Sequence, residues 1–444
     1  MTGPVKTARQ AAFEILTRVC RGGAYSNIAI DGALDSADLS ALDAAFVSAL
    51  TRGVLERQIS LDYVLAKHLD RPLKKLEPQV LTVLRMGAYQ LLFMDKIPAE
   101  AAVDESVRLA KNNRRAYAAG LVNAVLRAVS REGFDPPRGN DPQSLSVAYS
   151  CPDWIISLWL RSYGENNTME LLKASLGKPP VFLRANTLKI TAHDLKNILN
   201  AGGVSAETCA SPLLPGAVEL TGSPGAVYKL EAYKAGMFHV QDLASQLCAL
   251  ALEAKEGDSV MDVCAAPGGK SFTIAENMKN LGEVYAFDIY PQKIKLIDEG
   301  AARLGISIIK TAVRDALAPD DNNLTADRIL CDVPCSGLGI IRRKPEIRYK
   351  NVKDIDNLPD IQYCILKNSA ERLRPGGRLI YSTCTLNPRE NQDVVNRFLS
   401  ENHGFKAAKP VEGIKSADEN GMFLTLMPHT HNTDGFFIAA IERK

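Results

Sequence analysis

The sequence predicts a multidomain chain: an all-helical bundle, a small α+β module, and an α/β domain built on a doubly wound parallel sheet. Three observations carry this reading. Apolar residues recur at helical spacing from residue 5 to about 132. The stretch DPPRGNDP, residues 135–142, is crowded with breakers and reads as a linker. From Val240 onward, strand-like and helix-like segments alternate, as in a parallel sheet with crossover helices. A length of 444 residues suggests two or three domains, with boundaries expected at 1–135, 145–238 and 239–444.

Each element has its own signal. Phe13, Leu16, Val19 and Cys20 share a helix face, and Gly22-Gly23 supplies a stop. Ser40-Ala-Leu-Asp43 has the form of a capping box, ahead of Leu42, Phe46, Leu50 and Val54 at helical spacing. Later helices carry Val80, Leu84, Leu91 and Leu92, then Leu121, Val125 and Val129. In the middle, a helix around Trp154–Tyr163 precedes a strand-like run at Pro180–Leu188. A helix beginning at Ala192 and short strands near 204–208 and 217–220 follow. This order suits a small RNA-binding module, though the paired strand aromatics of an RNA-recognition motif are missing. Catalytic-domain strands are expected at Ser259–Val263, Gly282–Phe287, Ser307–Lys310, Asp327–Cys331, Gly377–Ser382 and Gly435–Glu442. The last should run antiparallel at or near the edge.

Composition excludes several classes. A net charge of +2 announces no nucleic-acid partner, so any such site must rest on local clusters. The chain shows neither a secretory h-region nor an apolar run of membrane length, so a cytoplasmic, membrane-free protein is expected. Nine scattered cysteines without a CxxC pair fit reduced thiols, and no ligand-spaced Cys/His set calls for a metal. Nothing demands more than a monomer.

The run VMDVCAAPGGK follows one expected strand and opens a helix. Its glycines allow close backbone approach, and the helix start behind them offers free N–H groups. Neither the dinucleotide nor the Walker spacing is present. Cys264, Ala265, Ala266, Pro267, Gly268, Gly269 and Lys270 therefore form a cofactor loop of another kind. Asp288, 18 residues beyond Lys270, stands where a carboxylate accepts both ribose hydroxyls, and Asp315 stands where one receives an adenine amine. An adenosine ligand held without phosphate contacts points to S-adenosylmethionine.

Two cysteines lie at strand ends beside this crevice: Cys335 in DVPCSG and Cys384 in YSTCT. Either thiol could attack a base, and the Pro-Cys order, read alone, favours Cys335 as the nucleophile. Cys331, within a strand, and Cys364, on a helix, read as small buried hydrophobes. The run from Ile341 to Lys350 holds five basic residues and one acid, and it follows the Cys335 loop directly. Arg342, Arg343 and Lys344 are thus candidates for RNA backbone contact.

Two resemblances sharpen this reading. TARQAAFEIL, SNIAIDGAL, IPAEAAVDESVRLAK and GLVNAVLRAV resemble the NusB-type RNA-binding bundle. There Arg108, Lys111, Arg114 and Arg115 make a basic cluster, with Arg114 and Arg115 expected on RNA. VCAAPGGK, DVPCSGLG, IRRKPEIRY, RPGGRLIYSTCT and NPREN together resemble the RNA cytosine-5 methyltransferases of the Sun/Nol type. The resemblance implies a Rossmann-like, S-adenosylmethionine-dependent domain acting on a specific cytosine of 16S ribosomal RNA. It further implies that Cys384 attacks carbon 6, that Cys335 assists release, and that Asp332 holds the base and handles protons. Lys270 would orient that carboxylate or the nucleophile.

Two other functions compete with this one. A tRNA or DNA substrate is the first, but the 109 residues after Cys335 are taken up by sheet and helices, leaving no target-recognition region for DNA. A non-catalytic NusB-like RNA-binding factor is the second. It would not need the cofactor loop or Cys384.

Overall fold

The computed structural model describes residues 7–20, 30, 32, 39–209, 211, 213–222, 225–318, 324–414 and 421–444. The Gly22-Gly23 stop and most of SNIAIDGAL lie outside the described residues. The chain divides into two compact units, Met1–Lys178 with Ile341–Lys350, and Pro179–Ile340 with Asn351–Lys444.

The first unit is all helical. Its helices Ala8–Cys20, Ala41–Glu56, Gln58–Ala66, Pro78–Phe93, Ala99–Asn112 and Ala119–Glu132 bury most of the apolar stripes read from the sequence, but Leu42, in the first turn of the second of these, points to solvent and is 85% exposed. Leu16, Leu50, Leu65, Leu84 and Leu126 are fully enclosed. Ser40 caps the second helix by accepting the amide of Asp43, as the capping signal predicted. Helices Pro142–Tyr149 and Asp153–Ala174 follow. The latter is longer than expected and is broken at Gly164, whose φ of 75° lies outside helical space.

The segment Ile341–Lys350 belongs to this unit, and one of its cations faces inward. Arg348 is fully buried. It donates to the carbonyls of Glu56 (2.9 Å), Ser150 (2.8 Å) and Ser175 (3.1 Å). These carbonyls stand at the C-terminal ends of three helices, where backbone acceptors lack intrahelical partners and a cation is favoured. Tyr349 adds a hydroxyl bond to Leu55 O, and Arg52 reaches the carbonyls of Arg342 and Arg343.

The second unit holds two sheets. Strands β1 (Val181–Ala185), β2 (Ala206–Thr208), β3 (Ala217–Leu220) and β4 (Phe238–Val240) pair antiparallel in the order β2-β3-β1-β4. The helix Ala192–Ala201, capped by Thr191, packs on this sheet through Leu195 and Leu199. Strand β4 was not signalled by the sequence. At three residues it is too short to show a period.

The large sheet contains β5 (Ser259–Asp262), β6 (Glu283–Asp288), β7 (Ile309–Val313), β8 (Ala326–Asp332), β9 (Leu373–Thr383), β10 (Phe405–Ala408), β11 (Leu424–Leu426) and β12 (Phe436–Arg443). Its order is β10-β12-β9-β8-β5-β6-β7, with β11 on β12. Strands β5 to β9 are parallel, whereas β12 runs antiparallel to β9, one place in from the edge strand β10. All six expected strands are present, while β10 and β11 escaped the sequence reading. Two apolar layers sandwich the sheet, one around Val260, Val284 and Ile380, the other around Met261, Ile329 and Tyr381. Strand order reverses between β5 and β8, which opens a crevice at their carboxyl ends.

Candidate active site

Every residue placed in the catalytic domain by the sequence, apart from the basic run, stands at the carboxyl end of a parallel strand. The Cys264–Lys270 loop follows β5, Asp288 ends β6, Asp315 lies two residues beyond β7, Asp332 ends β8, and Cys384 follows β9. The sheet itself thus gathers what the chain scatters over more than a hundred residues.

The loop after β5 turns at Gly268, whose φ of 105° is disfavoured for residues with a side chain. A Cβ there would meet the Phe272 ring at 2.5 Å. The helix Gly269–Asn277 opens immediately behind. Asp288 is buried, and its Oδ1 accepts the amide of Tyr290 at 3.1 Å with Lys293 Nζ at 3.6 Å. Its remaining acceptor capacity suits a ribose diol. Asp315 is exposed and accepts the amide of Leu317. It lines a small cavity of mixed character, with Met261, Phe287, Arg314, Asn368 and Arg372 among the other walls. Bare backbone at a helix start and a strand-end carboxylate fit the amino-acid and ribose ends of S-adenosylmethionine.

Lys270 reaches across to Asp332, Nζ to Oδ2 at 2.6 Å, while Ser382 donates to Oδ1 at 2.8 Å. Burial works against the Lys270 ammonium, but the adjacent Asp332 carboxylate prevails and holds it charged, above its ordinary range. Behind the loop, Asp262 accepts the Ser271 hydroxyl at 2.7 Å, and its other oxygen is buried without a hydrogen-bond partner. Burial lifts this carboxyl to about 7, opposed in part by the Ser271 bond. Asp262 was not singled out in the sequence, where a strand-end acid looks like any other.

The two thiols meet. Cys335 Sγ lies 3.0 Å from Cys384 Sγ. The hydrogen bond to Cys384, then burial, push the Cys335 thiol well above its ordinary value, and the nearby carboxylates of Glu390 and Asp332 add to this. The loops carrying the two cysteines touch along their backbones as well: Gly339 donates to Cys384 O at 3.0 Å, and a Cβ on Gly339 would lie 1.9 Å from Gly435 O. No larger residue fits there without moving one of the strands.

Beneath the thiols lies a buried polar network. The Glu390 carboxylate accepts Ser336 N (2.8 Å), Ser336 Oγ (2.5 Å), Gln362 Nε2 (3.0 Å) and Asn387 Nδ2 (2.8 Å). Ser336 Oγ also meets Thr385 Oγ1 at 2.7 Å. The sequence showed NPREN as part of a resemblance but carried no sign of what Glu390 touches.

The other cysteines divide in two. Cys331 is buried in β8, where burial raises its thiol to about 12, as expected of an inert core residue. Cys364 corrects the sequence reading, because it is exposed. Its neighbours Tyr363, Ile365 and Leu366 take the inner face of the helix Leu358–Ala370. In the helical unit, the basic cluster is partly neutralised by acids outside positions 108–115. Arg115 pairs with Glu77 at 2.5 Å and Arg108 with Glu105 at 2.8 Å, while Arg114 takes a positive φ of 61°. Arg342, Arg343 and Lys344 are half-buried. Among the described residues no helix is long and apolar enough to cross a membrane, and no group of three or more His, Cys, Asp or Glu side chains could hold a metal.

Residues 249–442 match the 16S rRNA methyltransferase RsmB/F family, 6–131 the NusB family, and 151–227 the ferredoxin-like domain of RsmF/B-like methyltransferases. The probable ribosomal RNA small subunit methyltransferase B of Bacillus subtilis (strain 168) is 36% identical over 99% of both chains. The protein of the same description from Synechocystis sp. is 36% identical over 98% of this chain and 99% of its own. Among solved structures, that of PH0851 superposes with a TM-score of 0.86 at 26% identity and covers 100% of both chains. A methyltransferase homolog protein from Pyrococcus horikoshii gives 0.61 at 28% identity, covering 69% of this chain and 100% of its own. A NusB helical domain, a ferredoxin-like module and a Rossmann-like methyltransferase domain thus follow one another, and the chain belongs to the ribosomal RNA small subunit methyltransferase B family.

Proposed function

We propose that this protein methylates carbon 5 of a specific cytosine in 16S ribosomal RNA through a covalent Cys384–cytosine adduct. The observation that carries the reading is the pair of thiols 3.0 Å apart at the end of β9 and the loop after β8, beside the carboxylate of Asp332. Carbon 5 of cytosine is a poor nucleophile. Addition of the Cys384 thiolate at carbon 6 breaks the ring conjugation and makes carbon 5 an enamine carbon able to attack an electrophilic methyl group. S-adenosylmethionine supplies that methyl group on a sulfonium.

Removal of the carbon-5 proton then restores the ring double bond and expels the Cys384 sulfur. Cys335, held as a neutral thiol, stands within reach of the departing sulfur and can hand it a proton. Asp332, fixed by Lys270 and Ser382, offers its remaining lone pairs to the cytosine amine or ring nitrogen. The Cys264–Lys270 loop, Asp288 and Asp315 would hold the methyl donor. Arg342, Arg343, Lys344, Arg114 and Arg115 are assigned to RNA backbone contact. The target base must be unpaired or extruded to reach the crevice.

The test is tritium release. With unmethylated 16S RNA carrying tritium at cytosine carbon 5, each turnover should free one tritium to water in step with methyl incorporation. Methyl incorporation without tritium release would place the methyl elsewhere and overturn the reading.

A further inference from the structure

The two cysteines are gripped from below by two adjacent residues. Asn391, fully buried, accepts the Thr383 hydroxyl at 2.6 Å and donates to Thr385 O at 2.9 Å, so it holds both neighbours of Cys384. Glu390, also fully buried, takes both the amide and the hydroxyl of Ser336, the residue after Cys335. Gln362 closes the other flank by donating to Pro334 O at 2.9 Å and to Glu390 Oε2.

Hydrogen counting fixes the direction of the remaining contact. An ionised carboxylate only accepts, so the single Ser336 hydroxyl proton points to Glu390, and the Thr385 hydroxyl must donate to Ser336 Oγ. A chain of hydroxyls thus runs from the residue after one cysteine, through the residue after the other, onto one carboxylate. All four donors to Glu390 are neutral. A buried carboxylate balanced only by neutral dipoles is costly, and a hydrophobic side chain of similar volume would fill the site at less expense. Two of these charge-assisted bonds, from the amide and hydroxyl of Ser336, tie the Cys335 loop to Glu390, and those from Gln362 and Asn387 fix the carboxylate itself.

We propose that Glu390, with Asn391, is a positioning residue that holds the Cys335 and Cys384 thiols in mutual contact. This rests on the proposed function, in which Cys335 must remain a neutral thiol beside the attacking sulfur.

The test reads thiol geometry without RNA or methyl donor, so that its outcome does not depend on the reaction chemistry. Dibromobimane fluoresces when it bridges two neighbouring thiols, and Cys335→Ala and Cys384→Ala supply the blanks for the other cysteines. In Glu390→Ala, confirmed folded by its melting curve, bridging should slow at least about tenfold, the factor expected when one charge-assisted bond is lost. Glu390→Gln is nearly isosteric and keeps the fold. Removing the negative charge eases ionisation of Cys335, so the pH midpoint of bridging should fall. In the same variant kcat for methyl transfer should drop while KM for S-adenosylmethionine holds. A folded Glu390→Gln that bridges with the wild-type rate and midpoint would overturn the proposal. If bridging changes as expected but tritium release fails, the clamp stands and the carbon-5 reading falls.

Discussion

The Lys270 ammonium and the Asp332 carboxylate, 2.6 Å apart, join the cofactor loop after β5 to the end of β8 across the point where the sheet reverses order. Only 14% of the Lys270 side chain and 27% of that of Asp332 meet solvent, so each is the other's main source of charge compensation. Breaking such a pair from one side leaves a half-buried charge without a counterion, at a cost of about 3 kcal/mol. Lys270→Met should therefore lower kcat/KM about a hundredfold. Arginine should not restore it, because its planar fork cannot replace a compact ammonium at this distance. Steady-state kinetics on both variants check this, with a melting curve to separate lost activity from lost fold.

Asp262 gives a pH signature. Its folded-state value of about 7 lies above that of an unfolded aspartate, so the folded chain binds this proton more tightly. That contribution is complete below the unfolded value near 4 and is lost as pH rises through about 7. Glu276 is raised to about 7 by burial in the same way, and it acts alongside Asp262 in the wild type. Asp262→Asn removes only the first group. Relative to wild type, its Tm should gain progressively from pH 4 to 7 and then stay level, as thermal melts across that range would show. A difference independent of pH would contradict the raised value of this carboxyl.

Arg348 is predicted to matter for folding. Its three bonds to carbonyls at helix ends are each charge-assisted, and their loss leaves those acceptors unpaired. Arg348→Met should destabilise the helical unit by about 4 kcal/mol. Arg348→Lys should recover little, since one ammonium cannot serve three diverging carbonyls. Denaturant titration followed by circular dichroism measures this. If Arg348→Met melts like wild type, the buried guanidinium is not a structural staple.

Much of this protein can be read before any coordinate is seen, for physical reasons that also mark where reading stops. A strand end in a parallel sheet is legible because its apolar run ends abruptly, and the β-α period makes successive ends converge. Asp288, Asp332 and Cys384 could be placed at one crevice on that ground. Strands β4, β10 and β11, of three or four residues, give no period to count. Arg348 was hidden among cations that suggest a surface strip, and only the convergence of helix ends distant in sequence reveals its burial. Glu390 was hidden for the same reason: its partners come from residues 336, 362 and 387, and no spacing connects them. The residues alone favoured Cys335 as the attacking thiol, but they carried no sign that it contacts Cys384. The protonated state of Cys335 depends on Cys384, 49 positions away.

The central claim is the division of labour between the two cysteines, and the measurement that tests it most directly is adduct formation by purified variants on unmethylated 16S RNA with S-adenosylmethionine. The complex is followed as a denaturation-resistant band on a gel. Cys384→Ala should form no covalent complex and no methylated product, whereas Cys335→Ala should accumulate the complex because release is impaired. A Cys384→Ala protein that still cross-links to RNA, or a Cys335→Ala protein that cannot, would reverse the roles and contradict the account.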